Sequence, residues 1–263
     1  MTGIKTMAEC MAAGESPEIL FWVGCAGSFD DRAKRITRSV ARILEHCGIR
    51  AAILGSEESC TGDPAKRAGN EFLAQMMAMQ NIQVLNGYEV KKIVTACPHC
   101  FNTLKNEYPT LGGHFEVIHH TQLISSLIAE GRLKLKGGGA FQGEKITFHD
   151  PCYLGRGNDV YEAPREMIAA LDADLSEMKR SRKNGLCCGA GGAQMFKEAE
   201  KGSGEINVAR TEDALATGAR VIATGCPFCN TMLTDGVKHF ERENEIKVLD
   251  VAELIDQRLG NEG

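Results

Sequence analysis

No stretch of this chain approaches the roughly 20 consecutive apolar residues that a membrane-crossing helix needs. The longest candidate, Ile19 to Ala26, is short and reads as a buried strand. There is no basic run either, and with a formal net charge of −5 a nucleic-acid surface is not expected. The opening Met-Thr-Gly-Ile-Lys-Thr-Met-Ala-Glu lacks the apolar core of a secretory signal, so the expected location is cytoplasmic. With 263 residues, 43% of them hydrophobic, the chain has material for one large domain or two intimate ones. Cysteine is what it has in excess: eleven residues. The cytosol keeps thiols reduced and an odd count cannot pair completely, so metal or cluster ligation is the better expectation than a disulfide framework.

An internal repeat organises those cysteines. The run Lys92 to Leu104, with Cys97-Pro98-His99-Cys100 at its centre, reappears as Arg220 to Leu233 around Cys226-Pro227-Phe228-Cys229. In each case an apolar β-type run ends at a Cys-Pro-x-Cys turn and a helix follows. Upstream, Phe21 to Cys25 matches Ile146 to Cys152; downstream, Phe115 to Ile124 matches Ile246 to Ile255. The chain reads as a tail over 1–17, a first repeat over 18–135 and a second over 144–257, joined near Lys136 to Ala140.

Short β runs alternate with amphipathic helical stretches in both halves. Residues 31–46 carry Ile36, Val40, Ile43 and Leu44 at helical spacing, a β run follows at Arg50 to Leu54, and 160–171 plays the helical part in the second half. This alternation predicts an α/β fold: two tandem, pseudo-symmetric Rossmann-like halves with parallel sheets. Ligand groups in such sheets gather at the carboxyl ends of the strands, so widely separated cysteines can meet there.

The second set is Cys152, Cys187, Cys188, Cys226 and Cys229; the first is Cys25, Cys60, Cys97 and Cys100. Cys25 to Cys60 is the same separation as Cys152 to Cys187, which lays Thr61 over Cys188. Thiolates select zinc, cuprous copper or iron–sulfur clusters. Zinc takes four ligands, so five cysteines overshoot it, whereas a multi-iron cluster can use them all. Gly189, Gly191 and Gly192 let backbone amides approach such a cluster and tune its potential. Taken alone, the first site also suits zinc. A zinc-stabilised scaffold and a thiol–disulfide oxidoreductase working through Cys187-Cys188 or Cys97/Cys100 are the rival readings.

These residues resemble the cysteine-rich CCG domain family, named for the step at Cys187-Cys188-Gly189, over roughly residues 19 to 257. The family includes a cluster-bearing component of heterodisulfide reductase and the iron–sulfur subunits of glycolate oxidase and lactate-utilisation systems. The resemblance implies a noncubane [4Fe-4S] cluster on Cys152, Cys187, Cys188, Cys226 and Cys229. Thr61 departs from the pattern and leaves the first site to a second, cubane [4Fe-4S] cluster on Cys25, Cys60, Cys97 and Cys100, or to none. The segments Ser59 to Glu71 and Asp150 to Gly155 are similar to the carboxyl-terminal part of fused reductases thought to pass electrons from electron-transfer flavoprotein to menaquinone.

The Cys-x2-Cys-x2-Cys-x3-Cys-Pro run of bacterial ferredoxins and a dinucleotide glycine fingerprint are both absent. The implied function is therefore an electron-transfer subunit of a heterodisulfide reductase-like or quinone-linked complex, terminal-catalytic if it meets the acceptor itself. It would be served by a ferredoxin-type partner with flavin or haem, and would exchange electrons with a disulfide or quinone. It would have no span of its own and would sit at the membrane only through a partner.

Among the remaining residues, His149 is a candidate proton donor to a substrate thiolate or quinone oxygen, against a plain backbone hydrogen bond. Asp150 reads as a turn cap, and His99 as a neighbour of the ligands rather than a ligand. At least one of His119 and His120 reads as structural, and Cys47 as a small buried hydrophobe. Cys10 falls in a polar tail. The charged stretch 178–184 reads as a solvated loop or a dock for an acidic partner.

Overall fold

The computed structural model describes residues 3–198 and 202–259. The first half runs β1 (Lys5–Thr6), α1 (Met7–Ala12), β2 (Ile19–Trp22), α2 (Gly24–Phe29), α3 (Ala33–His46), β3 (Ala51–Ile53), α4 (Asp63–Arg67), α5 (Glu71–Gly87), β4 (Lys92–Thr95), α6 (Pro98–Asn102), β5 (Glu116–His119) and α7 (His120–Ala129). The second runs β6 (Lys145–Phe148), α8 (Glu162–Ala169), β7 (Asp174–Leu175), α9 (Ile206–Leu215), β8 (Val221–Thr224), α10 (Pro227–His239), β9 (Lys247–Asp250) and α11 (Val251–Asp256). Each half builds its own parallel sheet, ordered β1-β3-β2-β4-β5 and β7-β6-β8-β9. The α/β architecture of two tandem Rossmann-like halves is as the sequence pattern predicts.

The strand order fixes where ligands can gather. From β2 the chain crosses to β3 on one side, and from β4 to β5 on the other. The crevice between β2 and β4 is therefore the switch point of the first sheet, and that between β6 and β8 is its counterpart. Local sequence enforces these elements. The Ile-Leu-Phe-Trp of β2 is buried throughout, as befits a strand covered on both faces. The helix α3 buries Ile36, Val40, Ile43 and Leu44 and ends before Gly48, whose φ of +64° suits glycine. Pro98 and Pro227 sit in the first turn of α6 and α10, where no amide donor is needed.

Several local expectations need correction. Residues 5–12 are not a tail: β1 adds to the sheet edge beside β3, and Cys10 on α1 is buried in the core (residues 1 and 2 lie outside the described residues). The run from Ile19 is a strand only to Trp22; Gly24, at φ +78°, turns the chain into α2 and puts Cys25 in its first turn. Asp150 caps no simple turn. It pairs with Arg165 at 2.8 and 3.0 Å and accepts the Arg182 amide at 2.7 Å. In the 178–184 stretch Met178 is buried, and Arg180 and Arg182 are taken by Asp213 and Glu162. Cys47 half-buries against the core beside α3, as expected of a small hydrophobe.

The halves pack by exchange: α3 lies on α11 and α7 on α8, so each early helix of one half meets the last helix of the other. Arg32 reaches Glu253 at 2.6 and 2.8 Å, Ser39 reaches Asp256 at 2.8 Å, and Ser125 bonds Glu166. Deeper in, His120 Nε2 meets Asp250 Oδ1 at 2.9 Å with both side chains fully buried. Both His119 and His120 are thus interior. Arg258 ties down the joint through the carbonyls of Lys136, Ala140 and Leu171. Among the described residues no helix is long and apolar enough to cross a membrane.

Asp250 also caps α11 through the Ala252 amide. Replacing it by Ala removes a cap, about 1 kcal/mol, and leaves His120 Nε2 unpaired, about 1–3 kcal/mol. The expected loss is ~2–4 kcal/mol in urea unfolding. Asp250→Asn, which keeps an acceptor, should lose less; a loss near zero for Asp250→Ala would mean that the pair does not hold the halves together.

Candidate iron–sulfur centre

All nine repeat-related cysteines lie beyond the carboxyl ends of the strands. Cys152 follows β6, Cys226 follows β8, and the Cys187-Cys188 pair lies within the long connection between β7 and α9. Their sulfurs form a continuous group in which each thiol shifts its neighbour's proton affinity: Cys152 with Cys187, Cys187 with Cys188, and Cys229 with both Cys188 and Cys226. Cys188 Sγ stands 3.3 Å from Cys229 Sγ, and the Gly189 amide donates to Cys187 Sγ at 3.3 Å. Gly189 holds φ +93°, a left-handed step that aims its amide back at the sulfur.

The first half repeats this arrangement with one substitution. Cys25 and Cys60 shift each other's proton affinity, as do Cys97 and Cys100, and Cys100 feels both Cys25 and Cys60. Thr61, buried, stands where Cys188 stands, and its hydroxyl reaches Cys100 Sγ at 4.0 Å. Gly62 repeats the left-handed step at φ +91°; a side chain there would strike the Ala74 carbonyl at 2.8 Å. Asn81 of α5 holds the Cys60 loop through Ser59 and the Cys60 carbonyl.

The two sites adjoin, which the sequence did not reveal. The Cys97 thiol lies close enough to Cys226, its repeat counterpart, for each to shift the other's proton affinity. His99 packs against Phe228, its own counterpart, with ring centroids 5.4 Å apart, and against Tyr153 at 4.5 Å. Residues that meet their own repeat equivalents lie on a pseudo-two-fold axis. The axial thiols, with Cys100, Cys188 and Cys229, are buried; Cys25, Cys60, Cys152 and Cys187 are half-buried at the outer edge of each site.

Charge is shared unevenly within each set. Hydrogen bonds from Cys152 and Cys188 hold Cys187 far below the usual thiol range, with help from the Gly189 amide. The bond from Cys25 brings Cys60 down to about 7, aided by the Gly62 amide. Cys25 and Cys152, as the donors, are pushed far up, and Cys188 rises to about 12 through its bond to Cys187. Only some of these thiols can lose protons together, unless a cationic centre supplies the compensating charge. Burial raises Glu58 to about 7 although it accepts the amides of Val23 and Gly24 at 3.0 and 2.6 Å.

The remaining candidates divide clearly. His99 Nδ1 bonds Asp63 at 2.9 Å, so it stands beside the ligand set in a network with Arg67 and Glu107. His119 bonds Thr121 at 2.8 Å and is held well below the usual histidine range by burial. His149 is buried, and its bond goes to a side chain, not to backbone: Arg210 Nε donates to Nδ1 at 2.9 Å. Burial and then the Arg210 charge lower it to about 3, so the imidazole is neutral at ordinary pH. A His149 ring nitrogen, Cys188 Sγ and Cys229 Sγ lie within 4.8 Å of one another.

Sequence reasoning missed Trp22, Asp63, Tyr153 and Arg210. Trp22 had a signal, its alignment with His149 in the repeat; Arg210 and Asp63 are brought in by tertiary packing alone.

The donor set fits an iron–sulfur cluster on two counts. The thiols are gathered together, buried or half-buried, and cannot all ionise unaided. Among the described residues, Trp22 Nε1 and His149 Nε2 are buried without a partner; His149 stands near Cys188 and Cys229, and Trp22 belongs to the apolar cluster that includes Cys97 and Cys100.

Comparison with known proteins agrees with this geometry. The CCG cysteine-rich domain model matches residues 19–105 and again 146–234. The "Probable iron-sulfur-binding oxidoreductase FadF" of Bacillus subtilis is 49% identical over 255 residues, covering 97% of this chain and 36% of that protein. The "EtfAB:quinone oxidoreductase" of Syntrophomonas wolfei is 43% identical over 260 residues, covering 96% and 36%. One subunit of the dihydromethanophenazine:CoB–CoM heterodisulfide reductase of Methanosarcina barkeri is 34% identical over 257 residues, covering 94% and 60%. The chain spans 36% of the length of the first two relatives.

Metal-free protein offers a test of the charge pattern. Alkylation of Cys60 should have its midpoint near pH 7, and Cys25→Ser, which weakens the thiol's donated bond, should move that midpoint upward. A midpoint at the ordinary thiol value in both proteins would contradict the pairing.

Proposed function

The chain belongs to the CCG cysteine-rich domain family, and from that premise we propose that it is the iron–sulfur electron-transfer subunit, or the corresponding part, of an oxidoreductase complex. One observation carries the reading: nine repeat-related thiols gather in two adjoining sites, one of them with more thiols than zinc can use. The family and the iron–sulfur name of a relative 49% identical support a cluster.

In this reading Cys152, Cys187, Cys188, Cys226 and Cys229 hold a noncubane [4Fe-4S] cluster, and Cys25, Cys60, Cys97 and Cys100 hold a cubane one. The Cys97–Cys226 contact supports treating the sites as consecutive stations for electrons. The five-thiol site is the terminal station, facing a disulfide or a quinone, in keeping with what the named relatives act on. Its partner is a ferredoxin-type polypeptide with flavin or haem. The outer face of α5 supports such a partner: Phe72, Leu73, Met76 and Met79 are exposed on a 17-residue helix whose one charged residue is Glu71. Apolar, Met-rich and charge-poor surface is what interface cores are made of.

Anaerobically purified protein should contain iron and acid-labile sulfide in equal amounts, with paramagnetic resonance signals on oxidation or reduction. Cys229→Ser should remove about half the iron and leave the first-site signal. Zinc in place of iron would favour a scaffold, and metal-free protein that exchanges disulfides would favour a thiol oxidoreductase; either result overturns the proposal.

A further inference from the structure

We propose that Trp22 and His149 are repeat-related hydrogen-bond donors to the sulfur of the two sites, and that Arg210 is a positioning residue that fixes His149 in its donating tautomer. This rests on the cluster reading above and adds to it the groups that set the potential of each site.

The two residues occupy one place in the duplicated fold. Each stands three positions before the first cysteine of its set, Trp22 before Cys25 and His149 before Cys152, where β2 and β6 run out. Both side chains are buried, at 0% and 1% exposure, and both carry a ring nitrogen that finds no partner among the described residues, Trp22 Nε1 and His149 Nε2. An unpaired donor in a dry interior is costly, and finding it twice at symmetric positions asks for an acceptor in each half. The acceptors at hand are sulfur. Trp22 packs in the same apolar cluster as Cys97 and Cys100, and His149 stands within 4.8 Å of Cys188 Sγ and Cys229 Sγ.

An indole can only donate, so Trp22 needs no further control. An imidazole can present either a lone pair or a proton, and here Arg210 decides. Its guanidinium has donors and no acceptor, and its Nε hydrogen points at His149 Nδ1 across 2.9 Å. Nδ1 must therefore be the bare nitrogen, and the ring proton sits on Nε2. Arg210 cannot swing away: it is fully buried, donates to the Arg180 carbonyl at 2.6 Å and lies 3.4 Å from Asp213. The consequence is specific. Although His149, Cys188 and Cys229 have the spacing of a metal-binding trio, His149 has no lone pair to give a metal through Nε2. It offers an N–H instead. Such a bond is stronger the more negative the sulfur, so it favours the reduced state and raises the potential.

The test begins by counting iron and sulfide in the wild-type protein prepared without oxygen; finding neither defeats the cluster reading itself. With clusters present, midpoint potentials are read by titration followed by paramagnetic resonance. His149→Phe should keep its iron and lower the second-site potential, cutting the reduced-to-oxidised ratio at fixed solution potential about tenfold, ~59 mV for a one-electron couple. His149→Gln, which restores an N–H, should recover most of the shift. Arg210→Met should move the potential the same way by less, and supplies the answer if His149→Phe does not fold. Trp22→Phe should shift the first-site signal alone. The reduced wild-type protein should also show an exchangeable proton coupled to the second site, lost in His149→Phe. An unchanged potential in His149→Phe or in Arg210→Met overturns the proposal. So does iron lost from His149→Phe and not regained in His149→Gln, since that would mark His149 as a ligand.

Discussion

Two thiols from opposite halves, Cys97 and Cys226, lie beside each other on the pseudo-two-fold axis in a fully buried setting, and the rest of the molecule is arranged around keeping them there. Each follows an inner strand of its own sheet, β4 or β8, so the carboxyl ends of both sheets must face one centre. That orientation leaves the helices to close the back, and the exchange of α3 onto α11 and α7 onto α8 does so. The ion pairs between halves line that seam, with Arg32 on Glu253 and Arg42 on Asp256 toward the outside and the buried His120–Asp250 pair within. Exposed pairs contribute little on their own. The apolar contact between the helices carries most of the association, and the charges select its register.

Bringing so much sulfur into a dry interior creates an electrostatic problem, and the fold answers it twice in the same way. Cys60 and Cys187 each receive a glycine amide from the left-handed step two residues on. That step is why Gly62 and Gly189 occupy equivalent positions despite different neighbours. The halves differ in how they brace the loop that carries it. In the first, Glu58 on the loop accepts amides of the strand end at Val23 and Gly24. In the second the direction is reversed: Asp150 at the strand end accepts the loop amide of Arg182, and Arg165 neutralises it. The same two segments are tied by a carboxylate in both halves, though the carboxylate comes from opposite sides.

Most of this architecture was legible because duplication writes it twice. The repeat of Cys-Pro-x-Cys after an apolar run identifies strand, turn and helix together, and the equal spacing from Cys25 to Cys60 and Cys152 to Cys187 pairs the outer cysteines. Contacts that depend on how the halves face each other left no such trace. Nothing local in sequence says that Cys97 meets Cys226, or that Arg210 reaches His149 from a helix 61 residues away. The polar N-terminal segment misled for a related reason: β1 is two residues long and α1 six, too short for periodicity to register, yet pairing with β3 orders them and buries Cys10. Asp150 looked like a cap because its partner Arg165 sits on α8, beyond the turn.

The asymmetry of the two sites follows from one side chain and is deeper than a missing ligand. Cys188 approaches Cys229 at 3.3 Å, while Thr61 in the same place keeps its hydroxyl 4.0 Å from Cys100 and lends its carbonyl to Tyr108. Tyr108 in turn bonds Asn81, which clamps the Cys60 loop against α5. The first site is thereby locked into a polar network through Asn81 and Tyr108. A fifth thiol gives the second site one sulfur in excess of a simple four-thiolate set. A site held by four thiols and a rigid network suits a centre that changes only its charge. The duplication thus places a rigidly braced four-thiol site beside a five-thiol one, so that one side chain, Thr61 or Cys188, separates two otherwise equivalent places in the fold.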